Sequence, residues 1–172
     1  MFTEIAILLL AAQAPGIAPD WELKPRVDRI APEVGRLQPL FDQLQPEKWI
    51  AAGASPAYEK QLRDCIAHIG DVQSTSQRFA AQPSRLTLAV ETLVRMESLL
   101  ELSSSVSRAV RRYQNPAVAD LLDSEISAAG ASRDWLRQHV SELAAIREKE
   151  LETAEKEAQR CRETTLKQGG RK

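Results

Sequence analysis

The sequence predicts an all-α protein, an antiparallel bundle of three or four long helices with a proline-kinked N-terminal helical arm. Three observations carry this expectation. The apolar residues are mostly Leu, Ala, Val and Ile, and aromatics make up only 5% of the chain, a composition that suits helix packing better than a β-sandwich. Apolar side chains recur at spacings of three and four through most of the sequence. Proline and Gly/Ser/Asn clusters fall between those runs, where helices start and stop. At 172 residues the chain has a one-domain length, and at 43% hydrophobic and 27% charged it can build a core.

The first stretch with a pattern is Lys24 to Pro46, KPRVDRIAPEVGRLQPLFDQLQP, where a proline stands at every seventh position: Pro25, Pro32, Pro39 and Pro46. Val27, Ile30, Val34, Leu37, Phe41 and Leu44 alternate spacings of three and four, the a and d positions of a heptad. With Val27 at a, all four prolines occupy f, farthest from the seam. A proline inside a helix removes one backbone hydrogen bond and crowds the carbonyl four residues earlier, at about 3 kcal/mol. At f those carbonyls, on Asp28, Gly35 and Asp42, face water that can satisfy them. The expectation is a helix bent repeatedly around a partner, or a run of short turns each started by its proline. Burying an apolar side chain returns roughly 1.5–3 kcal/mol, so the arm holds only with its apolar edge covered. A kinked bundle helix and a curved arm clasping a long helix of this or another chain both meet that condition.

Ser55-Pro56 caps a second helix reaching about Ala81, with a seam of Tyr58, Leu62, Cys65, Ile69, Val72, Ser76 and Phe79. Gln82-Pro83-Ser84 is a tight turn. A third helix runs from about Arg85 to Tyr113, with a wide apolar face of Leu86, Val90, Leu93, Met96, Leu100, Val106, Val110 and Tyr113, and is the expected centre of the bundle. Asn115-Pro116 starts a short helix with Val118, Leu121, Leu122 and Ile126 inward. Gly130 is expected to end or bend it, and Ser132 to cap the last helix, which runs from about Arg133 to near Leu166. Trp135, Leu136, Val140, Leu143 and Ile146 give that helix a core face. From Arg147 to Glu163 it becomes charged, with Leu151, Ala154, Ala158 and Cys161 as a thin apolar line. This half is expected either to be solvated or to project and pair with a second copy or another coiled coil.

The N-terminus MFTEIAILLLAAQAPG has an apolar stretch, Ile5 to Ala12, of signal-peptide length and too short to span a bilayer. Ala12-Gln13-Ala14 and Gly16 offer cleavage points. The absence of Lys and Arg from the first residues, the presence of Glu4, and Pro15 directly after the first point count against it. The alternative is an apolar turn docked on the core. The expected organisation is a signal peptide over 1–16, a linker over 17–23, a helical bundle over 24–166 and a disordered tail over 167–172. The protein is then exported, periplasmic or secreted, with no stable membrane span after leader removal.

The net charge of −1 provides no field for nucleic acid or acidic membranes. No Gly-rich phosphate loop, G-x-S-x-G, H-E-x-x-H, C-x-x-C-H or EF-hand pattern occurs. The sequence gives no positive sign of an enzyme or of a cofactor. Cys65, His68, His139 and Cys161 are the residues that could form a tetrahedral zinc site, but they fall in separate places with no paired-Cys spacing. Cys65 and Cys161 could instead form a disulfide, or stay as two separate thiols. A Cys65–His68 nucleophile pair lacks the accessible, electropositive setting a thiolate needs. Arg108, Arg111 and Arg112 lie at a helix C-terminus, where the dipole favours cations, and could alternatively take an anionic ligand. Asp120, Asp123 and Glu125 follow the spacing of a solvated face.

Two functional expectations follow. The first is a non-enzymatic exported protein with an interaction or assembly role in a bacterial envelope or periplasm, working through a protein partner or self-association of its long helices. The second is a helical bundle that binds a small molecule or metal near Cys65 and His68.

Overall fold

The computed structural model describes residues 19–169. The signal peptide expected over 1–16 and the last three residues of the expected tail lie outside that range. Seven helices follow one another: α1 (Asp20–Val27), α2 (Ile30–Gly35), α3 (Gln38–Phe41), α4 (Pro46–Ala51), α5 (Ala57–Ala81), α6 (Leu86–Tyr113) and α7 (Pro116–Gly169). The described residues contain no strand. α5, α6 and α7 pack as long antiparallel helices, with α6 touching both others. The arm α1–α4 lies against α5, α2 also touches α7, and α4 also touches α6. The result is an up-down-up-down four-cornered bundle in which one corner is built from short pieces.

The arm is as the proline heptad predicts, with two differences. Val27, Ile30, Val34, Leu37, Phe41 and Leu44 are all buried, whereas Pro25, Pro32 and Pro39 are exposed. The chain keeps right-handed helical dihedrals through its joints, at Asp28, Arg29, Arg36, Leu37 and Asp42. At the joints after α2 and α3 the hydrogen bonds tighten to a three-residue spacing, as in Leu37 N–H to Val34 O at 3.1 Å and Leu44 N–H to Phe41 O at 3.1 Å. Each break falls where a proline withholds its donor. The first difference is Pro25, which lies inside α1 instead of starting a turn. The second is Pro46, which is buried. Gln45 leaves the helical region (φ −126°, ψ 69°), so the heptad register ends at Leu44 and Pro46 begins α4 on a new face.

The arm also starts earlier than expected. Part of the linker placed at 17–23 is helix, because α1 begins at Asp20 and already buries Leu23. At the far end, Gly53 takes φ +93°. Ala54 N–H reaches Trp49 O at 2.9 Å and Gly53 N–H reaches Ile50 O at 3.0 Å. This pair of bonds, with glycine in the left-handed region, closes α4 and reverses the chain into α5.

The seam of α5 is buried as expected from Leu62 to Phe79, with Tyr58 half-buried. Asn115 Oδ1 accepts the Ala117 N–H at 2.8 Å, so Asn115-Pro116 starts α7 as predicted, whereas at α5 Pro56 takes the position before the helix without a side-chain cap and Ser55 Oγ accepts the Ala57 N–H at 3.3 Å from one residue further out. On α6 the buried line runs through Leu88, Ala89, Leu93, Met96, Leu99, Leu100, Val106 and Val110. Val90, expected on that face, is 40% exposed, because the seam turns through its neighbour Ala89. The buried hydroxyls of Thr92 and Ser103 bond back to Leu88 O and Leu99 O, which satisfies them without a partner helix.

The largest departure is α7. It runs unbroken for 54 residues, about 80 Å at 1.5 Å per residue. The helix expected from Pro116 and the helix expected from Arg133 are one. Gly130 does not end it, and Ser132 does not cap a new one. A glycine inside a helix costs about 1 kcal/mol, and the continuous buried line Ala119, Leu122, Ala129, Leu136 and Leu143 outweighs it. Leu121, expected inward, is 58% exposed because Ala119 and Leu122 take the seam. α7 also carries residues 167–169, the start of the expected tail, as helix.

Candidate functional site

Two regions stand out: the line where the arm meets α7, which gathers polar and aromatic side chains, and the charged outer half of α7. The first begins with Arg26 on α1, whose guanidinium sits 5.7 Å from the centroid of the Trp135 ring. Trp135 stacks on His139, centroids 5.4 Å apart and planes 9° apart, and Phe79 of α5 closes the row at 6.0 Å from His139. His139 is buried, and its Nε2 lies 3.3 Å from Pro83 O. One helical turn along, Ser132 Oγ donates to Glu33 Oε2 of α2, while Arg29 Nε approaches Glu33 Oε1 at 3.5 Å. An open crevice of about 290 Å³ runs beside this row, lined by Arg26, Arg29, Glu33, Ser132 and Trp135. Its charged groups already have partners within the chain, so the row reads as the lock that seats the arm on α7.

A second lock sits at the other end of the arm. Gln114, in the two-residue turn between α6 and α7, accepts the Trp49 Nε1–H at 2.9 Å and the Gln45 N–H at 3.2 Å through one oxygen. Its amide nitrogen donates to Gln43 O at 3.4 Å. Trp49 is fully buried, so its one polar atom needs this acceptor. Neither Gln114 nor the Glu33–Ser132 pair is marked by sequence spacing, because the partners are separated by 65 and 99 residues. Trp135 does stand on a predicted core face.

The four residues proposed for metal or disulfide chemistry lie in different surroundings. Cys65 is buried on α5, and Cys161 is exposed on the outer half of α7; both are free thiols. The structure therefore contains no Cys65–Cys161 bridge. Burial pushes the Cys65 thiol up to about 11, with the Ser103 hydroxyl pulling weakly the other way. A group held protonated in this way is a core hydrophobe and a poor nucleophile. His68 is half-buried on α5, with Nδ1 3.6 Å from Asp71 Oδ2. The His68 Nδ1 is itself buried and makes no hydrogen bond among the described residues, and Arg95 of α6 pairs with Asp71 at 2.9 Å. His139 belongs to the aromatic row. Among the described residues, no three His, Cys, Asp or Glu side chains converge as a metal-ligand set.

The structure brings two of the sequence clusters together. Arg111 of α6 reaches Asp120 at 2.6 Å and Asp123 at 2.8 Å, both on α7. The two carboxylates raise the guanidinium's already high pKa. Asp123 also accepts the Ser107 hydroxyl at 2.5 Å. Arg112 lies over the Tyr113 ring at 5.2 Å. The Arg111 charge is therefore neutralised within the chain, and Glu125 of the acidic set faces Arg36 of the arm at 3.9 Å.

The outer half of α7 is different in kind. Every residue from 147 to 165 is exposed, a length of roughly 28 Å. Its side-chain bonds are local, such as Arg147–Glu150 at 2.7 Å and Lys156–Glu152 at 3.8 Å, apart from Arg147 reaching Ser84 O at 3.3 Å at the bundle's edge. Leu151 is 60% exposed, and Ala154, Ala158 and Cys161 continue its line in the open. Such a helix can persist because it grows from a packed one, so the costly first turn is already formed, and its residues are good helix formers.

Comparison with protein-family models, with curated proteins and with solved structures finds no match. No described helix is long and apolar enough to cross a membrane.

Proposed function

We propose that this chain is a non-enzymatic, exported interaction or assembly protein of a bacterial envelope or periplasm, and that the outer half of α7 is its interaction element. The observation that carries this reading is the uncovered helix itself. Residues 147–165 are exposed on every side, yet keep an apolar line at coiled-coil spacing. The bundle behind it is locked at both ends of the arm and serves as a rigid base. The export half of the reading rests on the apolar Ile5–Ala12 stretch.

The test has two parts. Expressed with its own N-terminus in a bacterial host, the chain is expected in the periplasmic fraction, cut after residue 14 or 16 by mass spectrometry. An uncut cytosolic chain contradicts export. A chain lacking residues 148–172 is expected to keep its helical melting transition and to lose any assembly the full chain enters. Unchanged assembly by the shortened chain contradicts the role given to α7.

The rival reading, a small-molecule or metal binder near Cys65 and His68, has less support. Cys65 is sealed in the core, and among the described residues no set of three His, Cys, Asp or Glu side chains converges near it and His68.

A further inference from the structure

We infer that the occupant of the exposed half of α7 is a second copy of the same helix, laid antiparallel. This rests on the reading of α7 as the interaction element and names its partner. With Leu151 at a, the a and d positions are Leu151, Ala154, Ala158, Cys161 and Thr165. Antiparallel helices place a of one opposite d of the other. One two-fold register satisfies the whole line: Leu151 meets the partner's Cys161, and Ala154 meets the partner's Ala158. The larger side chains then lie at the two ends and the alanines in the middle, where the backbones can approach closely.

Charge selects this direction over the parallel one. Residues 147–157 carry five acidic and three basic side chains, and residues 158–165 carry two basic and one acidic. Head-to-tail pairing lays the acidic stretch of each copy on the basic stretch of the other, whereas parallel pairing sets acid on acid. The e positions are Glu148, Glu155 and Arg162, and among the described residues none has an ion-pair partner within its own chain; Arg162 donates to Gln159 there. In the antiparallel register Glu148 comes beside the partner's Arg162, twice by symmetry. Glu155 and Glu157 meet their own copies near the two-fold axis. That like-charge contact, together with the small seam, makes the pairing weak and reversible.

Sedimentation velocity on the full mature chain tests this, read beside five variants on the exposed helix. A monomer–dimer equilibrium is expected, weakened by salt. Glu148→Arg or Arg162→Glu alone should raise the dissociation constant about tenfold or more, and the two together should restore it. Under mild oxidation Leu151→Cys should give a covalent dimer joined from position 151 to the partner's Cys161, and Leu151→Ser should give none. A strict monomer, failure of the double exchange to restore pairing, or a wild-type Cys161–Cys161 cross-link in place of the offset one would overturn the inference. A monomer that nonetheless forms an adduct of another mass in cells would overturn only the identity of the partner. It would leave α7 as the interaction element.

Discussion

The indole Nε1–H of Trp49 donates to Gln114 Oε1 at 2.9 Å, tying the last helix of the arm to the turn between the two longest helices. Trp49 is wholly enclosed, so removing the acceptor strands a buried donor at a cost of about 1–3 kcal/mol. Gln114→Ala should lower stability by that amount in urea unfolding. Gln114→Glu, which keeps an acceptor oxygen, should lose less.

The arm's two faces predict opposite sensitivities. Leu37 is 0% exposed, and Leu37→Ala should cost about 2–5 kcal/mol. Pro39 is exposed at a joint where the helix has already given up its bond. Pro39→Ala should change stability by less than about 1 kcal/mol, because relief of the ring clash opposes the greater freedom of the unfolded chain. Chemical denaturation of the two variants decides it.

This contrast marks how far the sequence could be read. The proline heptad specified which edge of the arm is buried, residue by residue, because a three-four spacing and an f-position breaker obey the same geometry. Boundaries that depended on one residue were lost. Gly130 and Ser132 look like a stop and a start, but the buried line from Ala119 to Leu143 carries α7 straight through them. Pro46 broke step because Gln45 left the helical region; the sequence shows the repeat decaying there, since the next a position is the charged Lys48, but not that Pro46 turns inward. The Glu33–Ser132 and Trp49–Gln114 locks join residues far apart in the chain, and no local pattern announces such pairs. Cys65 lies on the buried seam its spacing predicts, whereas Cys161 is exposed, because it falls beyond Ile146, where the core face of α7 gives way to the charged stretch that the sequence marks from Arg147.

Gly53 stands at φ +93° in the turn that reverses the arm into α5. A side chain there finds open space, so the cost of Gly53→Ala is backbone strain alone, about 1–2 kcal/mol. Gly70 lies inside α5 with equal room and no such dihedral. Gly70→Ala should stabilise by roughly 0.5–1 kcal/mol. Thermal melts of the pair should therefore move in opposite directions.

The thiols should separate by exposure and by pH. In the native protein an alkylating reagent should label Cys161 and spare Cys65 until the chain is unfolded. Cys65 rises from its ordinary 9.0 to about 11 on folding. Between those values the unfolded chain has released a proton that the folded chain keeps. Stability is therefore undiminished below about pH 9 and falls as pH rises towards 11. Cys65→Ala should flatten that part of the stability curve, measured by urea unfolding across the window.

The measurement closest to the central claim compares two leucines on one helix. Leu121 is 58% exposed and Leu151 is 60% exposed, but only Leu151 belongs to the uncovered line of α7. A photo-cross-linking residue placed at each position in the full chain, in cells, should give a discrete adduct from position 151 and none from position 121. Equal labelling at both positions, or none at 151, would contradict the role assigned to the projecting helix.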